Sequence, residues 1–170
     1  MPVVINGSTG ISGADGSAGT PAVQGTDTNT GIYFPGADRI GFAEGGVQVG
    51  EFDASGNLKF NSGYGSVATA YGCRAWISFN GTGTPAIRGS GNVSSITDNS
   101  TGNYNINFSS NMPDTNYSFS GVVRWAAGEP SGIVGMGDDT PQTNYCRVVT
   151  VTNNTDAARD YTYVFVAVFR

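Results

Sequence analysis

Two residues with acid side chains, set on opposite sides of a bond, are enough to hydrolyse a glycoside. Glu129, Asp138 and Asp139 offer such carboxylates within "AAGEPSGIVGMGDDTPQTN" (126–144), and Asp98 and Asp114 offer two more in turn-like stretches. The competing use of these side chains is local, because Asp and Asn in turns bond neighbouring backbone N–H groups. Asp138-Asp139 also lacks the alternating oxygen ligands of a calcium loop, so no metal is expected there. The chain contains no histidine, which removes the commonest general base and zinc ligand and rules out a Ser-His-Asp triad within one chain. "NGTGT" (80–84) is glycine-rich, but no Gly-Lys-Ser/Thr ending follows it, so it reads as a turn and not as a phosphate loop. We expect no enzyme, no catalytic residues and no cofactor.

Binding suits these residues better than catalysis. Residues 126–145 read as the longest irregular stretch in the C-terminal half, bounded by Trp125 and Tyr145. Long connections on a rigid β scaffold commonly carry recognition. An aromatic face suits sugar C–H groups while polar neighbours bond the hydroxyls. The candidate receptor-binding residues are therefore Trp125, Glu129, Asp138, Asp139, Gln142, Asn144 and Tyr145. Trp125 and Tyr145 also alternate with Val123 and Arg147 as core residues would.

The elements that must position this segment are strands. Twenty-six glycines and many Ser, Thr and Asn residues disfavour helix, while a hydrophobic share of 38% is too high for a disordered chain. The net charge is −5, with Lys59 the single lysine and seven scattered arginines, so nucleic acid is not an expected partner. No apolar run is long enough to span a membrane as a helix. The N-terminus lacks the pattern of a secretion signal. Cys73 and Cys146 could close one disulfide; without a secretory signal they are expected as free, buried thiols.

Residues 1–22 read as a flexible attachment arm. Gly10, Gly13, Gly16 and Gly19 repeat every third position, but without proline the triplets have little reason to hold a polyproline II helix. Residues 23–60 form a β-rich shaft of short strands, "GIYFP", "RIGFAEGG", "VQVGEF" and "NLKF", separated by turn signals. Each strand carries one apolar side: Ile32 and Phe34, Ile40 and Phe42, Val47 and Val49, Phe52, Leu58 and Phe60. So small a meander cannot close a core alone. Either the C-terminal domain folds back over this side or identical chains pack around an axis. Residues 61–72 are a connector expected to hold one helical turn over 66–71.

From Cys73 to Arg170 the period-2 signal predicts six strands of an antiparallel β-sandwich: 73–80, 86–99 broken by glycine, 103–109, 116–126, 145–153 and 161–170. In the third, Tyr104, Ile106 and Phe108 face one way; in the fourth, Tyr117, Phe119, Gly121, Val123 and Trp125 share a side. The last is apolar on both sides, which suits a central strand or a subunit interface.

Two stretches carry a family resemblance. "QGTDTNTGIYFPGADRIGFAEGGVQVGEFDASGNLKF" (24–60) and "YGCRAWISFNGTGTPAIRGSGNVSSITDNSTGNYNINFSSNMPDTNYSFSG" (71–121) resemble segments of bacteriophage tail fibre proteins, including those of cyanophages. The likeness covers about two-thirds of the chain and weakens over 122–147. It implies an all-β homotrimeric virion fibre, made in the host cytoplasm and held to the baseplate or tail by its N-terminal part. The nine apolar shaft residues would then be trimer contacts, and the C-terminal domain would touch a host surface glycan such as lipopolysaccharide. The alternative is a purely architectural tail or baseplate protein. The resemblance carries over no catalytic residues, and the lack of a long apolar run gives no expectation of membrane insertion.

Overall fold

The computed structural model describes residues 4–7, 10–63, 65–124, 128, 130–137 and 140–170. Every regular element among them is a β-strand and every strand pairing is antiparallel. The chain divides into two compact units, Met1–Ala70 and Tyr71–Arg170.

In the first unit, β1 (Val4–Asn6) pairs with β2 (Gly10–Ser12), and β3 (Gly16–Ser17) pairs with β4 (Thr20–Pro21). The glycine triplets thus sit in short hairpins. Gly16 has φ +74°, opposite in sign to polyproline II, and a Cβ there would fall 2.5 Å from the Ala22 nitrogen. A six-stranded meander follows, in chain order: β5 (Val23–Gln24), β6 (Gly31–Tyr33), β7 (Ile40–Glu44), β8 (Val47–Phe52), β9 (Leu58–Phe60) and β10 (Ala68–Thr69). Gly45 and Gly46, both at positive φ, make the β7–β8 turn, the geometry that two-residue hairpins favour. At the β8–β9 turn, Asp53 Oδ1 accepts hydrogen bonds from the Ser55 and Asn57 N–H groups, each 3.0 Å. The helical turn expected over 66–71 is absent. β10 occupies that stretch instead, because Ala68 and Thr69 find ladder partners in Phe60 and Lys59 and the Ala70 N–H donates to the Leu58 carbonyl.

The second unit holds β11 (Cys73–Asn80), β12 (Ala86–Gly91), β13 (Val93–Ser100), β14 (Asn103–Phe108), β15 (Ser118–Val123), β16 (Gly132–Met136), β17 (Tyr145–Thr152) and β18 (Val164–Phe169). They form two four-stranded sheets, ordered β12-β11-β18-β15 and β13-β14-β17-β16. Alternate residues of both, among them Ile77, Phe79, Tyr104, Ile106, Val148 and Val166, join one buried cluster. Strand β18 is central in its sheet. The break between β12 and β13 falls at Asn92, at φ +55°. Its Nδ2 donates to the Arg74 and Ser110 carbonyls while its Oδ1 accepts from the Ser110 N–H, so a short amide side chain rather than a glycine makes the corner.

One strand corrects the reading of 126–145 as irregular: β16 lies inside it and pairs with β17 from Gly132↔Thr152 to Met136↔Val148. Its glycines hide the alternation, and Gly132 is there for space. The Tyr161 hydroxyl occupies the position its Cβ would take, 2.2 Å away, the close approach that glycine in a strand permits. Gly121 likewise leaves room for Val134, whose Cγ1 would lie 2.7 Å from an added Cβ.

Three buried tyrosines tie connections to this core, each with an apolar ring inside and a bonded hydroxyl. The Tyr104 hydroxyl donates to Asp160 Oδ1 at 2.6 Å, and the same carboxylate oxygen accepts from the Gly102 N–H. The Tyr117 hydroxyl lies 3.0 and 3.1 Å from the carbonyls of Gln142 and Tyr145. The Tyr161 hydroxyl lies 3.3 and 3.4 Å from those of Ser131 and Val151.

Gly102 has φ +65°, and a Cβ there would meet the Thr150 oxygen at 2.5 Å and the Arg159 nitrogen at 2.7 Å. Gly83 has nearly the same φ with nothing within 4 Å. Gly83→Ala should therefore cost about 1 kcal/mol from backbone strain alone, and Gly102→Ala about 3 kcal/mol because strain and overpacking combine. Urea denaturation midpoints of the two variants check this ordering; equal shifts would remove the steric account.

Candidate functional site

The register of the first unit's sheet assigns its paired side chains to one face or the other. Ile32 pairs with Phe42, Phe42 with Gly50 and Gly50 with Phe60; one step along, Ile40 pairs with Phe52 and Phe52 with Leu58. Val23, opposite Ile32, and Val47, opposite Glu44, fall on the same face, as does Phe34 by alternation. Phe42 and Phe52 meet edge to face at 6.3 Å. The large apolar residues among them are exposed, from 36% for Ile32 to 62% for Val47, apart from the half-buried Phe42. Val49, also half-buried, is left unpaired by the bulge between Phe42 and Ala43. The predicted shaft residues other than Val49 thus converge on one surface. Together they form a contiguous exposed apolar face, the kind of surface that marks an interaction site.

The opposite face explains why the apolar one points outward. Tyr33, Gly41, Glu51 and Lys59 form a row across it. The Tyr33 ring lies over Gly41, where a Cβ would come within 2.6 Å of its Cε1, and its hydroxyl donates to Gln48 Oε1 at 2.7 Å. Glu51 is only 3% exposed. It accepts a hydrogen bond from the Arg39 guanidinium and lies 3.6 Å from Lys59 Nζ, which also pairs with Asp53 at 3.0 Å. The Arg39 hydrogen bond holds the Glu51 carboxyl below the ordinary range, against the burial that would raise it. Lys59 is raised in turn, chiefly by its hydrogen bond to Asp53.

Of the receptor-binding candidates, Trp125, Glu129, Asp138 and Asp139 lie outside the described residues. Gln142, Asn144 and Tyr145 lie together in the short segment leading into β17. Gln142 Nε2 donates to the Thr140 carbonyl at 2.8 Å, and the Asn144 carbonyl accepts from the Phe108 N–H at 2.9 Å. The backbone carbonyls of Gln142 and Tyr145 are those the Tyr117 hydroxyl reaches, so this segment is clamped to the core. Of the two acids expected in turns, Asp98 instead lies within β13, opposite Tyr104 in the ladder to β14, while Asp114 sits in a turn, paired with Arg170 at 2.6 Å and accepting from the Asn116 N–H. Arg170 is the first cause holding its carboxyl below the ordinary range. Among the described residues no group of three or more His, Cys, Asp or Glu is arranged to hold a metal.

A second apolar surface has no local signal in the sequence to mark it as a site. It is the outward side of β12-β11-β18-β15, where Trp76 pairs with Ala167, Ala167 with Ser120, Ser78 with Phe165 and Phe165 with Val122. Trp76, Val122 and Phe165 are exposed. The Trp76 ring lies along Gly89 and Gly91; a Cβ on Gly91 would come within 2.4 Å of its Nε1. Tyr163 stacks on Phe165 with ring centres 6.4 Å apart. The guanidinium carbons of Arg88 and Arg124 lie 4.0 and 4.8 Å from the centre of the Tyr163 ring. The alternation of "YTYVFVAVFR" marks the aromatic row. Nothing in the sequence joins it to Trp76, Arg88 and Arg124, which arrive on three other segments. No protein-family model, curated protein or solved structure matches the chain.

Both cysteines are free; Cys146 is buried but Cys73 is exposed, contrary to the expectation that both are buried. Cys73 opens an edge of β11, where its register with β18 is irregular. Burial pushes the Cys146 thiol up to about 11, which keeps it protonated and unreactive. A native thiol titration should therefore modify one cysteine per chain, Cys73, with Cys146 reacting only on unfolding; two fast-reacting thiols would contradict the packing around Cys146.

Because the folded Glu51 carboxyl is depressed, its stabilising share is complete above the ordinary value near 4.5 and is lost as pH falls toward the folded value. Glu51→Gln should flatten the acid side of the melting-temperature profile of the chain, with Asp53 and Asp114 retaining part of the slope. An unchanged slope in the variant would separate Glu51 from the acid transition.

Proposed function

We propose that this chain is the subunit of a homotrimeric tail-fibre-like virion protein. In this reading it associates with itself through the apolar face of its first unit and contacts a host surface glycan with its second, whose two sheets we take as the layers of a β-sandwich. A tail or baseplate protein would hold the N-terminal part. The observation that carries the reading is the inverted sheet: large apolar side chains exposed on one face, a paired carboxylate buried on the other. An exposed row of Phe, Ile, Leu and Val is stable in water when other copies cover it, and closed symmetry limits such association to a defined number of copies. The resemblance over 24–60 and 71–121 supplies the number three and the virion setting.

A trimer also suits shallow recognition. Three weak glycan sites on one particle raise avidity by orders of magnitude without any deeper pocket. No catalytic role is assigned, and the turn carboxylates of Asp53 and Asp114 serve local hydrogen bonds and ion pairs.

Light scattering on the purified chain should give the mass of three copies. Phe42→Asp combined with Phe52→Asp should reduce it to one copy while the second unit keeps its cooperative melting, since two charges would then lie inside the buried face. A stable single-chain mass for the unaltered protein would overturn the trimeric reading.

A further inference from the structure

We propose that the outer face of β12-β11-β18-β15 is a binding site for an acidic sugar, with Arg88 and Arg124 taking its carboxylate and the Phe165–Trp76 surface taking its ring. This rests on the adhesive reading of the second unit but places the contact away from the 126–145 segment.

Charge is the first reason. The chain carries a net charge of −5, yet two of its arginines converge on one tyrosine ring, both within 5 Å of its centre. Their separation is thus shorter than the screening length of about 10 Å at moderate salt, so they repel each other. Arg88 bonds the Thr162 carbonyl, and among the described residues neither arginine has a carboxylate within ion-pair distance. Both are exposed. Stacking on an aromatic ring fixes a guanidinium through its flat side and leaves N–H groups at its edge, the geometry that takes a carboxylate through two parallel hydrogen bonds.

Shape is the second reason. The cations do not stand alone on a polar surface; Tyr163 stacks on Phe165, and the apolar strip continues past Ala167 to Trp76. At the strand rise of about 3.3 Å per residue, Tyr163 to Ala167 spans about 13 Å, which is the scale of a short oligosaccharide and not of a single small ion. Gly89 and Gly91 leave the indole lying along the sheet, and Ser78 and Ser120 set hydroxyls beside the ring positions. Flat aromatic area with hydroxyl donors at its margin is the chemistry that pyranose rings match.

The test is calorimetric titration of the whole chain with an oligogalacturonate and with dextran, with light scattering on the same sample. The oligogalacturonate should bind, dextran should not, and binding should weaken as salt is raised. Arg88→Gln and Arg124→Gln should each lower affinity about tenfold or more, the worth of a charge-assisted hydrogen bond, with the cooperative fold retained because both side chains are exposed. Trp76→Ala should weaken oligogalacturonate binding in the same way. No oligogalacturonate binding by a trimer overturns the site and leaves the fibre reading standing; a monomer overturns the fibre reading whatever the sugar does. Equal affinity for dextran, affinity unmoved by the two arginine substitutions, or inorganic phosphate binding as strongly as the oligomer would each overturn the proposal. So would loss of trimers in Trp76→Ala, which would make this face a contact between copies.

Discussion

Glu51 sets the orientation of the first unit. A carboxylate buried in a β-strand must be paired, and the partners available are Arg39 and Lys59. Because side chains alternate along a strand, fixing Glu51 on the inner side fixes Ile40, Phe52 and Leu58 on the outer side through the register. A slip of one residue would bury the phenylalanines and expose the carboxylate. The ion cluster therefore does more than offset its own desolvation: it selects which face of the sheet meets solvent. Tyr33 reinforces the choice by filling the space over Gly41 that any side chain would occupy.

The second unit is governed by the opposite arrangement. Its inner faces are apolar, and polar atoms enter only where they fasten a connection. Tyr104, Tyr117 and Tyr161 each bring a hydroxyl to backbone or carboxylate partners at the margin of the core. Burial pushes Tyr117 up to about 12 and Tyr104 further in the same direction, so both remain neutral donors wherever the fold survives. Gly121 and Gly132 make the notches that receive Val134 and Tyr161, and these fits hold the edge strand β16 against its neighbours.

Each of the two units exposes an apolar face of its own. The first unit exposes one such face, on which the proposed trimer rests, and the second exposes another, edged by two arginines. Cation–π stacking of both guanidiniums on Tyr163 organises positive charge on a chain that is negative as a whole. That difference in edging is why the two faces receive different readings: an apolar row suits copies of itself, and a row ending in fixed cations suits an acidic ligand.

Most strands were legible in the sequence because their signal is local. Alternation in "NYNINF" and "YCRVVTVT" fixes both the element and the inward face, whereas in the shaft segments it fixes the element alone. β16 has no clear local signal because two of its five residues are glycines, and one of them, Gly132, makes room for Tyr161 in a way that only the folded chain reveals. The 66–71 segment looked helical because short propensities compete evenly there, and a ladder to β9 decided it. By itself the sequence determined that the chain is β, where its turns fall and which apolar residues of the shaft share a side. Tertiary structure alone decided that the shaft's apolar side is the exposed one and that Trp76, Arg88, Arg124 and Tyr163 share a surface. The reason is that strand pairing and ion pairing join residues far apart in the chain, and no local pattern encodes a partner that distant.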